Sequence, residues 1–460
     1  MTIFKNIPFD QLTVGMEAEV KRLCVADDLY VFAHASGNLN PMHLPKEDGD
    51  ADGTPEAIAP GAWIASLISA ALGNQLPGPG TLYKSQTIRF VGRAMAGDEL
   101  VARVKLIEKK TDRRAVFETT VSLADGTLVA EGEAEVVAPL SEQSFDIHDV
   151  PGLVVGSHLH FERLLEMAQP LPPIPTAIIA PEDVSALRGA IMAAEHTIID
   201  PILIGDEALI RATAVEAEVS IEGYTIVHAK THSEAAAMGV AMVNEGRARA
   251  IMKGHLHTDE LLRPILRSEG GLKTGRRLSH VFVMDVPGLD HLLMVTDAAI
   301  NIAPDLKTKV DIVQNAIDLA ISLGIEVPKV GVLSAVETVN PAIPSTLDAA
   351  ALSKMSERGQ ITGGIVDGPL AMDNAVSLAA ARTKGIKSVV GGRADILIVP
   401  NLEAGNMLAK ELTFIARAEA AGVVIGARCP VILNSRSDSD HSRLASCAVA
   451  ALHAHRTGTM

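Results

Sequence analysis

The chain has 460 residues, and an excess of Asp and Glu (56) over Lys and Arg (40) gives it a formal net charge of −16 at pH 7. This charge argues against nucleic-acid binding, because a protein that binds a polyanion uses basic residues to displace its counterions. Hydrophobic residues make up 48% of the sequence and charged residues 21%, which excludes a disordered chain, and the length predicts about three compact units. A small anionic substrate stays possible, since a few cations gathered at one place suffice to bind it.

Neither secretion nor a membrane location is predicted. The N-terminal ten residues lack the basic and apolar regions of a signal peptide, and glycines and prolines interrupt the uncharged segment 57–83 before it reaches about 18 apolar residues. The three cysteines, Cys24, Cys429 and Cys447, are odd in number and far apart, a pattern typical of neither a disulfide framework nor a zinc site. We therefore expect a cytoplasmic protein.

Residues 1–138 combine one apolar helix, predicted at 62–72, with short β-rich runs. The later runs show the apolar and polar alternation of half-buried strands and are rich in β-branched residues. These runs are 85–90, 99–107 and 114–123. The pattern predicts an α+β domain in which an antiparallel sheet wraps around the helix.

Residues 139–175 are polar and contain several prolines, which predicts an interdomain linker that can carry some helix. From residue 176 to residue 460, apolar strands alternate with amphipathic helices, the pattern of an α/β domain. Pro181 is predicted to open the first helix, which extends to about residue 196. The apolar runs are bounded by Gly, Pro or Asn, as buried parallel strands often are. They are 176–180, 330–333, 396–399, 423–425 and 431–433.

A polar cluster, NSRSDSD, follows the last of these apolar runs. Ligands in open α/β sheets bind at the carboxyl ends of the strands, so this cluster is a candidate site. Arg436 offers charge-assisted hydrogen bonds to a phosphate, Ser435 adds a neutral donor, and a nearby Asp could accept the proton of a thiol. On these residues alone, a loop that caps the last helix is the favoured interpretation.

The C-terminal region also resembles a known family through several stretches in colinear order. They are MKGHLHTDELLRPIL, TDAAINIAPDLKTKVDIVQNA, LSAVETVNPAIPSTLDAAALSKM, GGIVDGPLAMDNAVS, ADILIVPNLEAGNMLAKELT and ILNSRSDS. These stretches resemble the phosphate acetyltransferase and phosphate butyryltransferase family, and VDGPLAMDNA and VPNLEAGN look closer to the butyryl branch. The resemblance implies two α/β subdomains with a cleft between them. It also implies that coenzyme A thiolate attacks the carbonyl of an acyl phosphate there without a covalent enzyme intermediate.

The resemblance assigns roles to three residues by motif position. Ser435 and Arg436 match the family's Ser-Arg pair, which holds the reacting phosphate and carbonyl. Arg263 in the LLRP segment matches a second anion-binding Arg.

The proton acceptor departs from the family pattern. The acetyl branch uses an Asp some residues after the Ser-Arg pair, and this chain has Ser442 at that point. Asp438 and Asp440 are the substitutes, of which we favour Asp438.

No metal or bound cofactor is predicted. His255 and His257 lie two residues apart but have no third ligand at metal-binding spacing, so we interpret them as loop or cleft histidines. The segment GLKTGRR, which begins at Gly271, lacks the Lys-Ser/Thr ending of a phosphate loop, so a nucleoside triphosphatase is not indicated.

The N-terminal domain carries a second resemblance, through VFAHASGNLNPMH followed by APGAWIASLISAALG. This order resembles the MaoC-like, R-specific enoyl-CoA hydratases, whose hot-dog fold agrees with the sheet and helix predicted above. Members of that family activate water with an Asp and a His in an SGDxNPxH motif, and the matching positions here are Asn38 and His43. Pro60 stands where many relatives have His. Two hypotheses stay open, a weak hydratase that uses His43 and a retired catalytic fold that binds acyl-CoA or mediates assembly, and we favour the second.

The two resemblances together predict a fused coenzyme A enzyme that converts acyl-CoA and phosphate to acyl phosphate and coenzyme A. The alternatives are a non-catalytic sensor of acyl-CoA or acyl phosphate and a true bifunctional hydratase and acyltransferase. A dehydrogenase is disfavoured because no glycine-rich dinucleotide fingerprint is present. Both families form oligomers, so we expect a homo-oligomer, and the sequence leaves the acyl chain length open.

Overall fold

The computed structural model describes residues 3–45, 47, 49, 56–146, 155, 159–435 and 438–458. The chain divides into two compact units, Met1–Val155 and Gly156–Met460. The division falls within the segment 139–175, which the sequence predicts as a linker. Part of that segment has regular structure, since a strand at Ser144–Asp146 belongs to the first unit and a helix at Leu159–Ala168 to the second.

The described residues of the first unit form a five-stranded antiparallel sheet, a two-stranded sheet and two α-helices. The strands are β1 (Ile3–Lys5), β2 (Glu17–Leu23), β3 (Leu82–Phe90), β4 (Glu99–Lys109), β5 (Arg114–Leu123), β6 (Leu128–Val137) and β7 (Ser144–Asp146). The helices are α1 (Ala26–Ser36) and α2 (Gly61–Asn74), with 3₁₀ turns at Phe9–Gln11 and Pro41–His43. The larger sheet has the order β2-β4-β5-β6-β3, and β1 pairs with β7.

The sheet of the first unit packs around α2, as the alternation of its strands requires. Every second residue of β4, from Leu100 to Leu106, is fully buried. Trp63, Ile64 and Ile68 of α2 lie in the same core. The predicted hot-dog architecture is confirmed.

The second unit contains eleven strands and eleven helices within its described residues. The strands are β8 (Ile174–Ile179), β9 (Ile199–Gly205), β10 (Thr225–His228), β11 (Ala250–Lys253), β12 (Ser279–Asp285), β13 (Leu293–Thr296), β14 (Lys329–Leu333), β15 (Ile365–Leu370), β16 (Ile396–Ile398), β17 (Glu419–Ile425) and β18 (Val431–Ile432). The helices are α3 (Leu159–Ala168), α4 (Val184–Glu195), α5 (Glu207–Glu216), α6 (His232–Asn244), α7 (Thr258–Ile265), α8 (Leu306–Ser322), α9 (Pro344–Glu357), α10 (Met372–Val376), α11 (Leu378–Thr383), α12 (Leu402–Phe414) and α13 (Asp440–Thr457).

The eleven strands form one sheet, in the order β10-β9-β8-β11-β18-β17-β12-β13-β16-β14-β15. The strands on each side of the centre run parallel to one another, while β17 is antiparallel to both β18 and β12, and β12 is antiparallel to β13. The prediction of a parallel strand at 423–425 is therefore wrong. A high apolar content indicates that a strand is buried on both faces of the sheet, but it does not indicate the direction of the strand.

Helix α4, for which the sequence predicts a start at Pro181, begins three residues later than predicted. Asp183 caps α4, with its carboxylate accepting a hydrogen bond from Ala186 N at 3.0 Å. Pro181 thus precedes the helix, because an Asp at the N-cap satisfies the first free amides more directly than a proline at the first turn.

Helices cover both faces of the large sheet, so the unit has the predicted α/β fold. On one face, α3, α4, α5, α8, α9 and α13 share a single core that spans the sheet. On the other face the core is divided, with one cluster under α6 and α7 and another under α10 and α12. The edges of both clusters reach β17.

The three cysteines are buried, and burial raises the pKa of each thiol, to about 11 for Cys24 and about 12 for Cys429 and Cys447. Such thiols stay protonated and unreactive. None of the helices in the described part of the chain combines the length and the hydropathy that a membrane crossing requires.

We predict that α3 stabilises the second unit as part of its core. The Asp285 carboxylate accepts hydrogen bonds from the backbone amides of His160 and Phe161, and the Phe161 side chain is fully buried. Phe161→Ala should lower the free energy of unfolding by about 3–5 kcal/mol, measured by urea titration followed by circular dichroism. Leu159→Ala, on the same helix but 47% exposed, is the control and should change it little. Equal, small effects would mean that the segment is only a linker.

Candidate functional site

The carboxyl end of β18 carries the polar loop that the sequence singles out. β18 lies between β11 and β17, and Met252 of β11 is opposite Ile432 of β18 in a parallel register. The chain after β18 therefore lies beside the chain after β11, where the carboxyl ends of these parallel strands meet. Asn434 and Ser435 come directly after β18, in the position where α/β sheets bind ligands.

Hydrogen bonds at and next to Gly422 of β17 hold this loop in place. Leu433 N donates to Gly422 O at 3.0 Å, and Gly422 N donates to Ser446 Oγ of α13 at 3.0 Å. Asn434 Nδ2 donates to the same Ser446 Oγ at 2.9 Å. A Cβ at position 422 would lie 2.5 Å from Leu433 O, so only glycine fits. The start of the Ser435 loop is thus fixed against both the sheet and α13.

Asp438 faces back toward the start of the loop. Its Oδ2 accepts hydrogen bonds from Ser435 N at 2.7 Å and from Asn434 Nδ2 at 3.4 Å. Burial raises the pKa of the Asp438 carboxyl above its usual value, although these hydrogen bonds and nearby cations oppose the shift. Asp440 is the first residue of α13 and turns toward Arg188, at 4.0 Å. Of the two predicted substitutes for the proton acceptor, Asp438 is the one beside Ser435.

A cavity of about 210 Å³ opens in front of this loop and is lined by Ser435 and Asp438. The other lining residues come from β12, α12, β17 and the start of α13. They are Phe282, Asn406, Ala409, Lys410, Thr413, Phe414, Ala418, Glu419, Ala420, Ser439 and Ser442. Ser442, which occupies the family's Asp position, therefore lines the same cavity.

The structure describes only one of the two arginines that are predicted to bind the anion. Arg436 lies outside the described residues. Arg263 is on α7, its side chain is 71% exposed and pairs with Asp259 at 3.6 Å, and it is not among the residues that line the cavity. The structure thus brings Ser435 and Asp438 together and leaves the roles of both arginines as predictions.

The sequence analysis missed a buried arginine under the loop. Arg443 is 3% exposed, and its Nη2 donates to Ser435 O at 2.8 Å. It lies in the first turn of α13, where the helix dipole disfavours a cation. A cation at this unfavourable position of the helix is the sequence signal that could have identified Arg443. Lys410 of α12 also lines the cavity, and both cations lower the pKa of the Asp438 carboxyl against the larger effect of burial.

A buried histidine, His280 of β12, supports the floor of the site and was also missed. It is 1% exposed, and its ring passes over Gly422 to donate to the carbonyl of Leu433. Burial lowers the pKa of His280 well below its usual value, so the ring is neutral at pH 7. The His280 ring meets the Phe282 ring edge to face, with the centroids 4.4 Å apart.

The two histidines after β11 occupy a loop and a helix cap. His257 is the N-cap residue of α7, and His255 meets His232 edge to face at 6.1 Å between centroids. His232 Nε2 in turn lies 2.9 Å from the Glu182 carboxylate. Within the described ranges, no three His, Cys, Asp or Glu side chains are grouped closely enough to hold a metal ion.

In the first unit, Asn38 and His43 lie in the turn after α1. Asn38 Oδ1 accepts a hydrogen bond from Asn40 N at 3.3 Å, so the amide helps to form this turn. His43 Nδ1 is 2.8 Å from Ile58 O. A carbonyl can only accept, so Nδ1 carries the proton and Nε2 is left as a base.

Apolar groups cover the start of α2, where the family resemblance places a histidine. Pro60 is the N-cap residue of α2 and has no side-chain hydrogen bond. The Phe90 ring packs against Gly61, close enough that a Cβ there would lie 2.8 Å from Phe90 Cζ. The surroundings of this helix end are therefore apolar.

Comparison with known proteins covers both units. A family described as phosphate acetyl/butaryl transferase matches residues 230–451, and one described as MaoC like domain matches residues 11–127. The chain is 56% identical to a phosphate acetyltransferase of Rhizobium meliloti over 296 residues, 64% of this chain and 94% of that protein. It is 42% identical to a phosphate butyryltransferase of Clostridium beijerinckii over 297 residues, 65% of this chain and 98% of that protein.

A solved structure agrees with these matches. The branched-chain phosphotransacylase of Enterococcus faecalis V583 is 32% identical, with a TM-score of 0.55, and the match covers 61% of this chain and 99% of that one. The predicted fusion of two modules is confirmed. The chain belongs to the phosphate acetyl/butyryl transferase family and carries a MaoC-like domain at its N-terminus.

Proposed function

We propose that the second unit transfers a short acyl group between coenzyme A and inorganic phosphate. The observation that carries the proposal is the cavity in which Ser435 and Asp438 lie side by side at the carboxyl end of β18, in a chain that belongs to this family. Both substrates are anionic, and positive charge is supplied by Lys410, which lines the cavity, and by Arg443, which is buried against Ser435 O. The assembly that performs the reaction is expected to be a homo-oligomer.

The proposed chemistry begins with the thiol of coenzyme A. Both hydrogen bonds that Asp438 accepts within the described residues go to Oδ2, so Oδ1 is the oxygen that takes the thiol proton. The thiolate then attacks the carbonyl carbon of the acyl phosphate, and the bond from that carbon to the phosphate oxygen breaks. Ser435 and Arg436 hold the carbonyl and the leaving phosphate. The reverse direction returns the proton from Asp438 to the thiolate that leaves.

A sensor that binds the same ligands without reaction is the alternative for this unit. We favour catalysis because burial raises the pKa of the Asp438 carboxyl, which brings it nearer to that of a thiol, about 8.5. A purely binding site has no need of such a base.

The first test is phosphate dependence. Purified protein should release coenzyme A from acetyl-CoA or butyryl-CoA only when phosphate is supplied, and acyl phosphate should accumulate in equal amount. Arg436→Ala should lower this turnover roughly ten- to a hundred-fold, since a charge-assisted contact is worth about 1.5–3 kcal/mol. Arg358→Ala, at the end of α9, is the control. Coenzyme A release at the same rate without phosphate would identify a thioesterase instead.

The second test is the pH dependence of Asp438. In the direction that consumes acyl phosphate and coenzyme A, the carboxylate is the active form, so kcat in that direction should fall as the pH drops through a pKa above the usual Asp value. Asp438→Asn should lower this kcat about 10² to 10⁴-fold and remove this acidic limb of the pH profile, while KM for acyl phosphate changes little. Asp440→Asn is the matched control and should keep both the wild-type kcat and its fall at low pH. If Asp440→Asn abolishes the limb instead, the assignment of the base is wrong.

For the first unit we propose a hydratase-like domain of low activity. The turn-forming role of Asn38 and the apolar cover of α2 favour a retired site, while the basic Nε2 of His43 keeps weak hydration open. A bifunctional hydratase and acyltransferase is the alternative, and it requires His43 alone to activate water.

The Asn38→Asp substitution tests this proposal. Wild-type protein should hydrate crotonyl-CoA very slowly, because an amide cannot accept a proton from water at neutral pH. The carboxylate that this substitution introduces restores the acceptor with little change in volume, so hydration should rise, followed as the loss of enoyl thioester absorbance. The double variant Asn38→Asp with His43→Ala should lose the gain. Vigorous hydration by the wild type would contradict the proposal.

A further inference from the structure

The cavity beside Ser435 is lined by both polar and apolar side chains. The loop and the start of α13 supply Ser435, Asp438 and Ser442, which are polar. Phe282 of β12 and Ala409 of α12 are apolar and line the same cavity, together with the polar Lys410. A short acyl phosphate has the same division, with a polar reacting end and an apolar chain.

We propose that Phe282 and Ala409 form the acyl pocket and set the chain length that the protein accepts, an inference that rests on the proposed function. With the carbonyl held between Ser435 and Asp438, the chain must occupy the rest of the cavity. A cavity of about 210 Å³ has room for the reacting group and a short chain of carbons.

Phe282 is suited to this role because its ring is held in place. β12 lies between β13 and β17, and the Phe282 ring packs edge to face on His280 at 4.4 Å. His280 is buried and donates to the carbonyl of Leu433, next to the Ser435 loop. The wall that limits the chain is thus connected through one side chain to the loop that holds the carbonyl.

Ala409 limits the cavity in a different way. It is 3% exposed on α12 and presents only a methyl group. A larger residue at this position would take up space that the chain needs. Shortening Phe282 and enlarging Ala409 should therefore change the chain-length preference in opposite directions.

The experiment compares kcat/KM for acetyl-, butyryl- and hexanoyl-CoA with phosphate in the full-length chain. Phe282→Leu should raise the hexanoyl to acetyl ratio at least tenfold, and Ala409→Val should lower the butyryl to acetyl ratio by a similar factor, since one methylene in a pocket is worth about 10- to 200-fold. Ile415→Leu, at the end of α12, 77% exposed and outside the lining of the cavity, is the matched control and should change neither ratio.

Each outcome decides the proposal. Unchanged ratios in both variants, or loss of acetyl transfer by Phe282→Leu in a protein with unchanged circular dichroism, would overturn the acyl pocket. Should Ala409→Val fold poorly, the Phe282→Leu ratio alone still decides. Failure of the proposed function is a separate result, because it would appear as a wild-type protein that transfers none of the three acyl groups to phosphate.

Discussion

The missing side chain at Gly422 is the constraint on which the candidate site depends. Three elements approach this residue closely: Leu433 after β18, His280 from β12 and Ser446 from α13. Any Cβ at this position would lie 2.5 Å from Leu433 O and 3.1 Å from His280 Nε2. β17 is antiparallel to both of its neighbours and lies between the two parallel halves of the sheet. Because Gly422 has no side chain, the three elements can come into contact across the β17 backbone. The position of the Ser435 loop follows from this close approach.

The same close packing keeps a charge buried beneath the loop. The stem of Arg443 passes between α13 and α4, where a Cβ on Gly189 would lie 2.8 Å from Arg443 Cδ. Its guanidinium then reaches Ser435 O, so a full positive charge lies within the protein next to the proposed phosphate position. A buried cation is less screened by salt than an exposed one. It is also already desolvated and fixed before any ligand arrives, which reduces the reorganisation that binding requires.

The sequence predicted local features well and non-local ones poorly. Strand alternation identified β4, and apolar content identified α2, because each pattern reflects the element's own burial. The predictions of the direction of β17 and of the start of α4 were wrong. The direction of β17 depends on partner strands distant in sequence, and the start of α4 depends on the capping carboxylate of Asp183. The sequence could not place Arg443, whose role depends on how α13 packs against α4.

Two opposing effects set the acidity of Asp438, and the proposed substrate changes their balance. Burial disfavours the carboxylate, while Arg443 and Lys410 favour it, and the pKa shows that burial is the larger effect. A phosphate group bound beside Ser435 would add negative charge near the carboxylate and offset part of the positive charge of Arg443 and Lys410. Both effects raise the pKa of Asp438 further, toward that of a thiol. The carboxylate would then be a stronger base when phosphate or acyl phosphate occupies the site.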